Sequence, residues 1–128
     1  MIGVFDSGFG GLAVLREFLK VLPEYDYLYL GDNARIPYGT RSDNVVLKFT
    51  QQAVSYLFRQ GCVLIILACH TASAKALRTL QQKYLPVYYP PNRVLGVVIP
   101  TVEEALARSV AGRIGVIATE GTVTSNSF

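Results

Sequence analysis

The sequence has little of what marks membrane, secreted and metal-binding proteins. Its longest unbroken apolar stretch covers residues 62–69, far short of the ~20 residues that span a bilayer. Two cysteines and one histidine match neither a disulfide framework nor a standard zinc spacing. The apolar residues 2–5 are followed at once by Asp6, which is not the pattern of a signal peptide. We therefore expect a cytoplasmic protein with no metal ion and no membrane partner.

The sequence also has few charged residues of either sign. The net charge is only +3, and the lysines and arginines are scattered along the chain. Because no basic stripe with interleaved aromatic residues is present, nucleic acid is not an expected partner. Apolar residues make up 51% of the chain, which suits one modest domain with a real core.

Short apolar runs alternate with longer amphipathic ones. This alternation predicts an α/β fold in which right-handed βαβ units build a parallel sheet with helices on both faces. Thr101 and Glu104 resemble a capping box that would open the last helix. The predicted strands are residues 2–5, 27–30, 63–68, 94–99 and 113–118, and the predicted helices are residues 12–22, 42–60, 71–84 and 101–110.

In such sheets ligands gather at the carboxyl ends of the strands. Four segments fall there and hold the unusual chemistry, namely residues 6–11, 32–39, 69–71 and 119–122. Cys69 ends a buried strand and precedes a helix, whose dipole would favour the thiolate. The alternative is a buried core cysteine, the usual fate of a free cysteine and the role we expect for Cys62. The Asp6 carboxylate could orient a base or accept a proton, with Ser7 beside it. The alternative is that Asp6 and Ser7 simply cap a helix.

The turn after the first strand also fits a dinucleotide-binding pattern. Gly8, Gly10 and Ala13 match G-x-G-x-x-G/A, and Asp32 follows some twenty residues later. A nucleotide-binding oxidoreductase is therefore an alternative function. The carboxylate of Asp6, however, would repel a pyrophosphate at this turn.

Five stretches in register resemble the glutamate racemase family, within the aspartate/glutamate racemase superfamily. They are IGVFDSGFGGLAVLRE at residues 2–17, YLGDNARIPYGTRS at 29–42, LACHTASAKAL at 67–77, GVVIP at 96–100 and IGVIATEGTVTS at 114–125. The resemblance implies flavodoxin-like α/β domains with the active site between two of them. It also implies an isomerase that uses no cofactor and supplies D-glutamate for peptidoglycan, and hence for the cell wall and cell shape.

The family's chemistry uses one cysteine on each face of the substrate. One thiolate removes the Cα proton and the opposite thiol delivers a proton, which inverts the stereocentre. The resemblance makes Cys69 one of these acid/base groups and makes Asp6 the residue that assists it. The residues that would contact the substrate are Ser7, Pro37, Tyr38, Gly39, His70, Thr71, Thr119 and Thr122.

The sequence departs from the family pattern in two respects. His70 stands where the family has an asparagine that contacts the substrate amine, so a preference for aspartate stays an alternative. The family's Gly-Cys-Thr-His segment, with the second cysteine, is not among these 128 residues. We expect residues 1–98 to belong to a first domain and residues 99–128 to begin a second. We expect this chain alone to be inactive. A non-catalytic truncated relic or binding module is a further alternative. Exposed sheet edges would favour a homodimer.

Overall fold

A four-stranded parallel sheet forms the centre of the computed structural model, which describes all 128 residues. The strands are β1 (Ile2–Asp6), β2 (Tyr27–Gly31), β3 (Leu64–Leu67) and β4 (Arg93–Gly96), in the spatial order β2-β1-β3-β4. This order is that of flavodoxin-like sheets, in which the chain reverses direction across the sheet after β2. The predicted α/β class with a parallel sheet is confirmed.

Six α-helices connect and flank the strands. They are α1 (Gly11–Val21), α2 (Asp43–Arg59), α3 (His70–Thr79), α4 (Leu85–Tyr88), α5 (Val98–Arg108) and α6 (Glu120–Thr124), with a π-helical turn at Leu80–Tyr84 between α3 and α4. Right-handed crossovers place α1 on one face of the sheet and the α2–α3 pair on the other. No helix is both long enough and apolar enough to cross a membrane.

The core lies between the sheet and the α2–α3 pair. Alternate strand residues point to this face and are almost fully buried, namely Phe5, Ile65, Leu67 and Val94. They pack against Val54 and Leu57 of α2, together with the aromatic ring of Tyr38. This single cluster fixes where β1 and β3 end, and therefore where the residues that follow those strands lie.

The opposite face of the sheet is less well covered. Val4 on β1 is fully buried, its neighbour Ile66 on β3 is 9% exposed, and Leu95 on β4 is 49% exposed. The exposed fraction of these side chains rises in this direction because α1 packs mainly against β1 and β2. Leu12 and Leu19 of α1 are likewise about half exposed. This face of the molecule therefore presents exposed apolar surface.

Four local predictions were wrong. Residues 113–118 form no strand, because no neighbouring strand pairs with them. Thr101 is no helix cap: α5 begins at Val98, and the Thr101 hydroxyl donates to the Val97 carbonyl one turn back. The predicted loop after α3 contains the short helix α4, and β4 ends at Gly96 rather than three residues later.

Candidate active site

The turn after β1 is held by its own aspartate. Asp6 is 7% exposed, and its Oδ2 accepts hydrogen bonds from the backbone N–H of Gly8 at 3.2 Å and of Gly11 at 3.0 Å. A Cβ on Gly11 would lie 2.7 Å from the Cβ of Asp6, so only glycine fits this approach. Oδ1 takes part in neither bond. The carboxylate therefore fixes the position of Ser7 and keeps one oxygen free.

Cys69 lies at the end of β3 and caps α3. Its Sγ accepts a hydrogen bond from the N–H of Ala72 at 3.4 Å, and the residue is 6% exposed. The Oγ of Ser7 lies 3.2 Å from the same sulfur. The first N–H groups of a helix have no partner within the helix, and its dipole favours negative charge there. The sulfur thus lies at the N-terminus of α3, between a backbone N–H and the Ser7 hydroxyl.

Three threonine hydroxyls meet one turn away. Thr71 Oγ1 lies 2.9 Å from Thr119 Oγ1 and 3.4 Å from Thr122 Oγ1, and the last two lie 3.0 Å apart. Thr71 belongs to the first turn of α3, two residues after Cys69, whereas the other two come from the start of α6. Each hydroxyl can donate and accept, so this hydroxyl triangle could reorganise around a carboxylate or an ammonium group.

The loop before α2 closes against the hydroxyl triangle. A Cβ on Gly39 would lie 2.7 Å from the Cβ of Thr119, and the carbonyl of Gly39 accepts the N–H of Gly121 at 2.9 Å. Pro37, two residues earlier, is exposed. Sequence reasoning placed residues 37–39 and Thr119 at one site, and the structure brings Gly39 and Thr119 into direct contact.

Tyr38 faces the core rather than open space. It is 2% exposed, between Phe5 and Phe49, and its hydroxyl donates to Asp32 Oδ2 at 2.5 Å. Burial, reinforced by the bond to Asp32, raises the pKa of Tyr38 far above its usual range. Arg35 binds the same Asp32 oxygen at 2.6 Å. Asp32 is therefore occupied in supporting the loop. This weakens the nucleotide alternative, in which an acidic residue at this spacing binds the ribose.

Sequence reasoning missed Tyr29. Its hydroxyl donates to the carbonyl of Gly8 at 2.9 Å, which supports the turn from the β2 side. Burial, followed by the charges of Asp6 and Cys69, raises the pKa of Tyr29 to about 12. The signal was available: Tyr29 lies two residues before Gly31, which pairs with Asp6 in the sheet. Residues two apart share a face, so Tyr29 points to the same side as Asp6.

His70 lies apart from the sulfur although it follows Cys69 directly. Its side chain is exposed, and its ring stacks on Phe128 with 6.2 Å between the ring centres. Together with Thr119 and Thr122, His70 lines a largely apolar cleft of about 910 Å³ between α5, residues 112–119 and α6. The cleft borders the hydroxyl triangle but does not include Cys69 or Ser7.

These features define an α/β protein whose candidate site lies at the carboxyl edge of a parallel sheet. No protein-family model matches the chain. It is 45% identical to the glutamate racemase of Geobacter metallireducens over 99% of this chain and 45% of that protein. The glutamate racemase structure from Aquifex pyrophilus superimposes with a TM-score of 0.90 at 41% identity, covering 98% of this chain and 48% of that one.

A third similar protein is the Francisella tularensis glutamate racemase in complex with D-glutamate. It has a TM-score of 0.82 and 39% identity, and the match covers 98% of this chain and 45% of that one. The chain thus spans about half the length of the relatives it matches. It is a relative of the glutamate racemases and corresponds to the N-terminal part of such a protein.

Proposed function

We propose that this chain supplies one half of the catalytic site of a cofactor-independent glutamate racemase. The observation that carries the proposal is the contact between Ser7 Oγ and Cys69 Sγ at the N-terminus of α3. Cys69 is the acid/base on one face of the substrate Cα. The similarity to proteins named glutamate racemase over 99% of the chain supports this substrate.

Cys69 takes the Cα proton as a thiolate or delivers one as a thiol. Ser7 donates its hydroxyl to the thiolate and so keeps the sulfur oriented. Asp6 assists through its free Oδ1, while its Oδ2 holds the turn. The developing negative charge on the substrate needs fixed donors near the carboxylate, and the proposed donors are the first N–H groups of α3, which have no partner within the helix.

The hydroxyl triangle binds the α-carboxylate and α-amino groups. The loop of Pro37, Tyr38 and Gly39 borders the substrate through its backbone, because the Tyr38 ring lies in the core. His70 acts at the rim, where its ring can accept a hydrogen bond from an ammonium group. The site residues in this proposal belong to residues 1–98 and to the segment 99–128 that begins a second domain. The proposed role of the product D-glutamate is in peptidoglycan synthesis in a bacterial cytoplasm.

Cys62 cannot be the second acid/base. It is 1% exposed and sits at the opposite end of the sheet, where a Cβ on Gly3 would lie 3.2 Å from its sulfur. Burial also raises the pKa of Cys62, which disfavours its thiolate. Of the two cysteines only Cys69 is placed to exchange the Cα proton, so a two-cysteine inversion requires a group from the second half of the site.

The test is Cα proton exchange in D2O, followed by NMR with L-glutamate and D-glutamate in separate samples. The 128-residue chain is compared with a version extended by the remaining part of the Geobacter metallireducens relative. We expect the extended protein to exchange and interconvert both enantiomers, and Cys69→Ala to abolish both reactions. The chain alone should not interconvert them.

Three outcomes would replace the proposal. Faster exchange of aspartate than of glutamate would make the protein a racemase for that amino acid. No exchange of either amino acid in any version would favour a non-catalytic relic or binding module. Thermal protection by NAD but not by glutamate would instead support the nucleotide-binding alternative.

A further inference from the structure

A lysine behind the hydroxyl triangle is unusually well enclosed. The Lys75 side chain on α3 is 8% exposed, and its Nζ lies 2.8 Å from Asp43 Oδ1 and donates to the Arg41 carbonyl at 2.9 Å. Lysine is rarely buried unless it is paired. Both partners lie where the loop of Gly39 enters α2. Lys75 therefore ties this loop to the helix that carries Cys69 and Thr71.

The stem of the same side chain packs against α6. A Cβ on Gly121 would lie 2.6 Å from Lys75 Cε and 2.7 Å from the Gly39 carbonyl oxygen, so Gly121 is pressed between the two. The N–H of Gly121 donates to that carbonyl at 2.9 Å. Thr122 follows Gly121 directly. The lysine stem, the loop and the start of α6 thus form one packed unit.

Lys75 is also one helical turn beyond Thr71, and residues four apart lie on the same face of a helix. The face of α3 that presents the Thr71 hydroxyl is therefore the face from which the Lys75 side chain extends. Thr119 and Thr122 reach Thr71 only if α6 stays against this face. Losing the Lys75 contacts would free the loop at Arg41 and Asp43 and remove the support under Gly121.

We propose that Lys75 is a positioning residue of the site, which locks the Gly39 loop and α6 together so that the hydroxyl triangle is assembled before the substrate binds. This inference rests on the proposed function, because it assigns the triangle to the substrate. Lys75 touches no reacting atom. It acts through Gly39, Gly121 and the threonines.

The test uses the 128-residue chain and two independent readouts. Amide hydrogen exchange of Gly121 reports its bond to Gly39, and NMR titration reports the affinity for glutamate. Lys75→Met keeps most of the stem but removes the ammonium group, whereas Lys75→Arg keeps a cation. Lys48→Met, an exposed lysine of α2 without an ion pair, is the matched control.

We expect Lys75→Met to speed Gly121 exchange and weaken glutamate affinity by about tenfold or more each, the scale of one ordinary hydrogen bond. Amides of the core strand β3 should keep their protection. Lys75→Arg should recover a large part of both effects, and Lys48→Met should change neither. This pattern separates positioning from general loss of stability.

Unchanged Gly121 exchange in Lys75→Met would overturn the proposal, and so would faster exchange with unchanged glutamate affinity. Asp43→Asn is a second variant that keeps the test decisive if Lys75→Met does not fold. It removes the ion-pair partner on the surface and should show the same two effects more weakly. If the unmodified chain binds no glutamate, the affinity is measured on the extended protein, and absence of glutamate binding there too counts against the proposed function. The Gly121 measurement still decides whether Lys75 holds the loop.

Discussion

The hydroxyl oxygen of Ser7 lies 3.2 Å from the sulfur of Cys69, across the carboxyl ends of two neighbouring strands. Residues 62 positions apart meet there because β1 and β3 pair directly in the sheet. Asp6 fixes the turn on one side and the start of α3 fixes the sulfur on the other. The pair is thus set by the most buried part of the fold.

Ser7→Ala tests whether this contact matters for proton transfer. We expect the extended protein to lose about tenfold to hundredfold in the rate of Cα exchange, because a hydrogen bond to a charged group is worth ~1.5–3 kcal/mol. Thermal stability should change little, since Ser7 is only partly buried. Ser109→Ala, at the end of α5, is the control. An exchange rate equal to that of the unmodified protein would show that Ser7 does not act on the sulfur.

Much of this site could be predicted because its residues follow strands. The apolar runs that predict β1 and β3 also place Asp6, Ser7 and Cys69 at one edge of the sheet, and parallel pairing brings them together. The contact of Gly39 with Thr119 needed the family resemblance, because nothing local in either segment indicates the other. Side-chain partners such as Lys75 with Asp43 depend on how helices pack, which periodicity does not specify.

The fifth strand, which was predicted but does not form, has a similar cause. Residues 113–118 contain Ile114, Val116 and Ile117, a composition typical of a strand. A strand also needs a neighbour to accept its hydrogen bonds, and the sheet of these 128 residues ends at β4. Ile117 is fully exposed as a result. Propensity predicted the conformation, but tertiary pairing decides whether it forms.

Gly39→Ala should disrupt the hydroxyl triangle. The new methyl group would lie 2.7 Å from the Cβ and 2.9 Å from the Cγ2 of Thr119, so α6 must move away. We expect a loss of about 1–3 kcal/mol in the free energy of unfolding, as for other overpacked sites, and weaker glutamate binding by NMR titration. The control is Gly115→Ala, where a Cβ meets nothing within 4 Å. Equal stability of the two variants would contradict the packing described for Gly39.

The raised pKa of Tyr29 predicts a loss of folding stability at high pH. Its pKa is raised to about 12 in the folded chain, above the ordinary value near 10, so folding favours the protonated hydroxyl. The folding stability that the protonated Tyr29 hydroxyl contributes is fully present below about pH 10 and is lost as the pH rises towards 12. In Tyr29→Phe, chemical denaturation should show a smaller decrease in the free energy of unfolding across this range. The exposed Tyr25→Phe is the control, and an equal decrease in both variants would count against the assignment.

Asp6→Asn separates the two roles assigned to this carboxylate. An asparagine oxygen can replace Oδ2 as the acceptor for the N–H groups of Gly8 and Gly11, so we expect the free energy of unfolding to stay within about 1 kcal/mol, the scale of one ordinary hydrogen bond. The negative charge is lost, however, and with it the help that Oδ1 gives to proton transfer at Cys69.

Cα exchange by the extended Asp6→Asn protein should therefore fall by about 10²-fold or more, the lower end of what one acid/base group contributes. Asp6→Ala, the companion variant, should lose both stability and exchange because no acceptor remains for the turn. If Asp6→Asn exchanges glutamate as fast as the unmodified protein, the carboxylate serves only the turn. Cys69 would then depend on Ser7 and the α3 N-terminus alone.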